Sequence, residues 1–232
     1  MKKQGLGTGD WGLGCLLGMS IALMSGQVGL ADDPLRNGND EELRITVRLQ
    51  DYAQVPHGML AGSKQEATRV LKDAGIEVAW LNCKGPAGVF TADSGCTDPF
   101  APTDLLLRVL PRSMAERVPF TDSTFGFALQ STDDRRAFVA GVFAHRVREL
   151  SEALGDSPAT ILGLVMAHEI GHLLLNTTAH SPTGIMRARL NREDLLRPLG
   201  FTWEQQNLLR DDVSDRLRLQ EARPAAEVAT SR

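Results

Sequence analysis

The chain has 232 residues, 42% of them hydrophobic and 5% aromatic, with a formal net charge of −4. That is enough apolar material for one domain with a full core. The acidic balance, the single tyrosine, and the lack of a basic run with interleaved aromatics or a glycine-rich phosphate loop argue against nucleic acid or nucleotide as a partner.

At the amino terminus Lys2 and Lys3 precede an apolar stretch from Trp11 to Met24 and small residues ending Gly29-Leu30-Ala31. This is the pattern of a secretory signal peptide, residues 1–31, cleaved after Ala31. The apolar stretch is shorter than the roughly twenty residues a membrane span needs, so no stable membrane insertion is expected once it is removed. Cys15 reads as part of the leader's apolar core. Removing 31 residues from 232 leaves 201, with a net charge of −5, because the leader carries Lys2, Lys3 and Asp10. The expected product is a monomer, exported to the periplasm or secreted. Of three cysteines, Cys83 and Cys96 remain, and in an oxidising compartment they are expected to form a disulfide.

Leu43 to Ala53 alternates apolar and polar residues, with Ile45, Val47 and Leu49 on one side, and predicts the first strand. Leu60, Ala67, Val70, Leu71 and Ala74 recur at helical spacing up to Gly75, and Ile76 to Leu81 follows as a second strand. Leu105 to Leu110, Thr124 to Leu129 and Arg136 to Phe143 are further strand candidates. Ser157-Pro158 reads as an N-cap with proline at the first helical position, opening an apolar helix over about 158–175. Asn191 to Leu196 starts a short helix. Thr202 with Gln205 three residues on opens the last one, carrying Trp203, Leu208, Leu209, Val213 and Leu217. Residues 223–232 lack apolar periodicity and are expected to be a loose tail. His57 reads as part of a turn and His145 as following a strand, neither with ligand spacing. Asp133-Asp134 and Asp211-Asp212 read as solvated surface.

The most informative run is His168-Glu169-Ile170-Gly171-His172 inside the apolar helix. Residues four apart lie on one helical face, so both imidazoles can reach one ion, while Glu169 stands beside the ion's open position as a proton acceptor. An alternative is a pair of core histidines bonded to backbone, with Glu169 paired to an arginine. In an apolar helix, however, two histidines and a glutamate are costly unless satisfied. A third ligand is required, and His180 follows a stretch in which Asn176 can end the helix in a left-handed conformation and Thr177-Thr178 can reverse the chain.

With His180-Ser181-Pro182-Thr183-Gly184-Ile185-Met186 following the helix motif, the chain resembles the metzincins, and the matrixin-like pattern among them. It is also similar to uncharacterised exported bacterial proteins with such a motif. It departs from the metzincin spacing, which would place glycine at 175 and the third histidine at 178; this chain has Leu175 and Thr178. The resemblance implies an α+β zincin domain over 32–222: a twisted mixed sheet, a backing helix, the active-site helix and a small helical carboxy-terminal part. It implies one catalytic Zn²⁺ on His168, His172 and His180, Glu169 as the catalytic base, Met186 in the turn beneath the metal, and a peptide or protein substrate along an edge strand, for which Thr124 to Leu129 is the candidate. A tyrosine ligand following that turn, as in some relatives, is absent. The chain also resembles gluzincins, which take the third ligand from a later glutamate, and Glu193 is the residue that could serve. The readings left open are a secreted metalloendopeptidase, a zinc amidase acting on cell-wall peptide, and an exported non-catalytic zinc-binding module.

Overall fold

Four segments, residues 42–83, 93–117, 124–129 and 138–222, are described by a computed structural model, and all belong to one unit, Glu41–Arg232. The signal-peptide reading, the tail and Asp133-Asp134 lie outside the described residues. In chain order the elements are β1 (Arg44–Asp51), α1 (His57–Asp73), β2 (Glu77–Cys83), β3 (Asp104–Leu110), α2 (Arg112–Ala115), β4 (Gly126–Leu129), β5 (Val139–Phe143), α3 (Ala144–Leu154), α4 (Pro158–Leu174), a 3₁₀ turn (Arg192–Leu196) and α5 (Trp203–Ala222).

The strands form one five-stranded sheet in the order β2-β1-β3-β5-β4. β2, β1, β3 and β5 run parallel, and β4 pairs antiparallel with β5 on the outer edge. The expected mixed sheet is present. Period-2 alternation puts Ile45, Val47 and Leu49 of β1 and Leu105, Leu107 and Val109 of β3 on the same face, all buried in the main core. α1 packs chiefly against α4, and α4 also touches β3, β4, β5, α3 and α5. α4 is therefore enclosed nearly all round, which is why its sequence is apolar without a polar stripe. Ser157 Oγ accepts from Ala159 N at 3.3 Å and Pro158 opens the helix, as its sequence predicts.

Several expectations need correction. α3 is a helix where a direct passage from strand to active-site helix was expected, and His145 lies within it. The short α2 was likewise not foreseen. His57 is the first residue of α1 and not part of a turn. In α5, Leu209 and Val213 are buried but Trp203 and Leu208 are exposed, because the buried side is completed by Arg216. The Arg216 guanidinium donates to Asp212 at 2.5 Å, to Pro102 O at 3.2 Å and to Leu173 O at 3.4 Å, so its buried charge is satisfied and α5 is tied to the end of α4.

At the other side of the sheet, Cys83 and Cys96 form the expected disulfide, with Cα atoms 5.5 Å apart. The same region is held by the buried Arg48 of β1, whose guanidinium pairs with Asp104 at 2.5 Å and donates to Asp98 O at 2.7 Å and to Pro99 O at 3.0 Å. The bridge spans 13 positions. Loop-closure entropy of that scale is worth about 3 kcal/mol. Reducing the disulfide should lower the unfolding free energy by about that amount, with Cys83 and Cys96 unreactive toward thiol reagents before reduction. An unchanged unfolding free energy, or reactive thiols at Cys83 and Cys96 before reduction, would contradict the bridge.

Candidate metal centre

His168, Glu169 and His172 project from one stretch of α4, and the chain then turns back beneath them. Asn176 takes the left-handed φ of +46° that ends the helix, as its sequence predicts. Thr177, next in the turn, presents its carbonyl to His172 Nδ1 at 2.7 Å. The return places His180 against both helical histidines, its ring centroid 5.3 Å from that of His168 and 5.0 Å from that of His172. One nitrogen from each of the three imidazoles lies within 4.8 Å of the others. Among the described residues no other group of histidine, cysteine or carboxylate side chains converges in this way. Glu193 is exposed in the first turn of the 3₁₀ segment and is not part of the cluster.

The turn after His180 is built to support the helix. Ser181 N donates to Met186 O at 2.8 Å and Ile185 N to Gly200 O at 2.8 Å, which presents Ile185 O to His168 Nδ1 at 2.7 Å. Met186 is buried against Gly171, where an added Cβ would stand 2.7 Å from the methionine sulfur and 2.7 Å from the ring of Phe201. Glycine in the motif is thus what lets this turn approach the helix between the two histidines.

These contacts fix the tautomers. A carbonyl oxygen only accepts, so Nδ1 of His168 and of His172 must each carry the hydrogen, which leaves both Nε2 atoms as lone pairs. They face one another at 3.0 Å. Two acceptors at that distance repel unless a cation stands between them. A proton is disfavoured: burial pushes His168 down to about 4, against the help of the Ile185 carbonyl, and burial lowers His172 as well. Three convergent imidazoles, two of them aligned by backbone carbonyls, fit a divalent cation of borderline softness.

Glu169 is buried and raised to about 8 by desolvation alone. In the metal-free protein the folded state therefore holds this proton between about 4.5 and 8 while the unfolded state has lost it. Stability falls as pH rises across that window. Removing the carboxylate tests the sign: metal-free Glu169→Gln should gain stability over the parent as pH rises from 4.5 to 8, by on the order of a few kcal/mol. A difference that does not change with pH, in paired denaturation curves, would contradict it.

Beside the cluster runs a cleft of about 430 Å³, lined by the edge strand β4, by Leu164 and Val165 of α4, and by Ile185, Leu190 and Leu199 from the returning chain. Of the expected edge segment Thr124 to Leu129, residues 124–128 border this cleft, with strand geometry over Gly126–Leu129. Arg187 also lines it, its guanidinium paired with Asp194, whose other carboxylate oxygen accepts from Asn191 N at 2.9 Å. Tyr52 lies elsewhere, in a small cluster with Leu110, Ala115 and Phe143. Sequence reasoning missed Gly126, Phe201 and Arg187. For Gly126 a signal existed, since a lone glycine inside a strand pattern marks close approach of another group.

No family model and no curated protein matches the sequence. Among solved structures the chain is similar to archaemetzincin from Methanopyrus kandleri, at 14% identity and a TM-score of 0.45, over 75% of this chain and 98% of that one. That likeness is loose, and the site is described by its own residues: three convergent imidazoles and the buried Glu169 at the edge of an apolar cleft.

Proposed function

We propose that this chain is an exported zinc-dependent metalloendopeptidase. The observation that carries the reading is the convergence of His168, His172 and His180 beside the buried Glu169 at the head of a cleft bordered by an edge strand. Three histidines are a known catalytic zinc set that leaves a coordination position open, whereas a purely structural site is usually closed by four protein ligands. When bound, zinc supplies Lewis acidity, polarising a carbonyl and lowering the pKa of water to about 7.

The chain's own residues supply the rest. The carbonyls of Ile185 and Thr177 hold His168 and His172 in the ligating tautomer. Glu169, next to the first ligand, accepts the proton of the attacking water and returns it to the leaving amine. Leu164, Val165 and Leu199 give the cleft apolar walls beside the base. An extended peptide laid along β4 would add a strand to the sheet edge, main-chain to main-chain, and set its side chains alternately toward the cleft. Export is supported by the Cys83–Cys96 bridge, and no helix among the described residues is long and apolar enough to cross a membrane.

The test is cleavage of peptides by zinc-loaded protein, its loss on chelation and its return with zinc. Cleavage that persists after complete metal removal would refute the proposal. Release of amide-linked cell-wall fragments with no peptide cleavage would reassign the substrate to cell-wall peptide with the same residues.

A further inference from the structure

Gly126 opens the edge strand, opposite Val142 of β5. An added Cβ there would stand 2.5 Å from Oε1 of Glu169 and 2.7 Å from its Cδ and Cγ. No real Cβ tolerates such distances, so the carboxylate occupies the volume that any side chain at 126 would need. The strand cannot retreat to make room. Thr124 O accepts from the Arg146 guanidinium at 2.7 Å, Phe125 O accepts from Phe143 N at 2.9 Å, and the Phe127 ring lies over Gly141, where a Cβ would come within 2.6 Å of it. Arg146 is itself buried on α3 and stacks on Phe143 at 4.6 Å. The strand backbone is therefore fixed on its far side, and the softer partner at the contact is the glutamate side chain.

We propose that Gly126 is a positioning residue for Glu169: its missing side chain forms the seat in which the carboxylate rests under the edge strand, and the Arg146–Thr124 clamp holds that seat in place. The catalytic part of the inference rests on the hydrolase reading above; the seat itself does not. Misplacing a reacting group by about 1 Å costs on the order of a hundredfold in rate.

Gly126→Ala should therefore lose about a hundredfold in kcat with KM little changed and zinc content unaffected. Gly58→Ala, where an added Cβ meets nothing within 4 Å, should keep full activity. The decisive readout is a pair of double-mutant cycles. Glu169→Asp, which withdraws the carboxylate by one methylene, should cost less rate in the Gly126→Ala background than in the parent. In metal-free protein, Gly126→Ala should lower the melting temperature of the parent and leave that of Glu169→Ala nearly unchanged. Additive melting temperatures would overturn the seat. Coupled melting temperatures with multiplicative rate losses would overturn its part in catalysis. A parent that hydrolyses no peptide refutes the hydrolase reading instead, a failure seen in the rate assay and not in the melting cycle.

Discussion

Glu169→Gln is expected to keep one zinc per chain and to lose hydrolysis by about 10²–10⁴-fold, the range that a positioned general base supplies. The substitution is nearly isosteric, so the seat against Gly126 and the packing of α4 should be preserved. What disappears is the ability to hold a proton between attack and departure of the amine. In the metal-free protein no opposite charge among the described residues favours the ionised form of Glu169, and desolvation raises its pKa to about 8. A residue kept in so unfavourable a place without a structural partner contributes little to the fold as a carboxylate. The metal-free variant should accordingly be the more stable protein at pH 8, while the loaded variant is inactive. Full turnover by Glu169→Gln, measured on a peptide the parent cleaves, would remove it as the base.

His180→Ala is expected to weaken zinc binding by well over a hundredfold, beyond the 10–100-fold seen when only an outer-shell partner of a ligand is lost. His180 is exposed, unlike His172, so its removal leaves no cavity and the fold should persist. The remaining pair would still face each other at 3.0 Å, but two imidazoles and water hold zinc far less tightly than three imidazoles. Competition with a chromogenic chelator reads the change directly. Glu193→Ala serves as the contrast and should leave affinity unaltered, because Glu193 stands outside the cluster. Equal affinity of His180→Ala and parent would move the third ligand elsewhere.

Much of this centre was legible in the sequence because its parts are local. Ser157-Pro158 marks the start of α4, the four-residue spacing puts His168 and His172 on one face, and Asn176 is a residue type that tolerates φ of +46° at the helix end. The strands of β1 and β3 were readable because one face of each is buried and alternation records that. α3 was not, because Phe143 leads from β5 into the helix with no loop and no capping side chain, so the apolar run of the strand flows into Ala144 and Val147 without punctuation. Trp203 and Leu208 are exposed for a different reason: apolar type alone does not fix burial, and the inward face of α5 is completed by Arg216, whose partners include Pro102 and Leu173, far away in sequence. The Gly126–Glu169 approach is likewise a product of tertiary packing between an edge strand and a helix 43 positions on, which no periodicity encodes.

A catalytic zinc centre is tested most directly by zinc stoichiometry measured together with cleavage of a mixed peptide library, parent beside Glu169→Gln. One zinc per chain in both proteins, with cleavage by the parent alone, is the expected result. One zinc per chain with no cleavage by the parent, or equal cleavage by the two proteins, would contradict it.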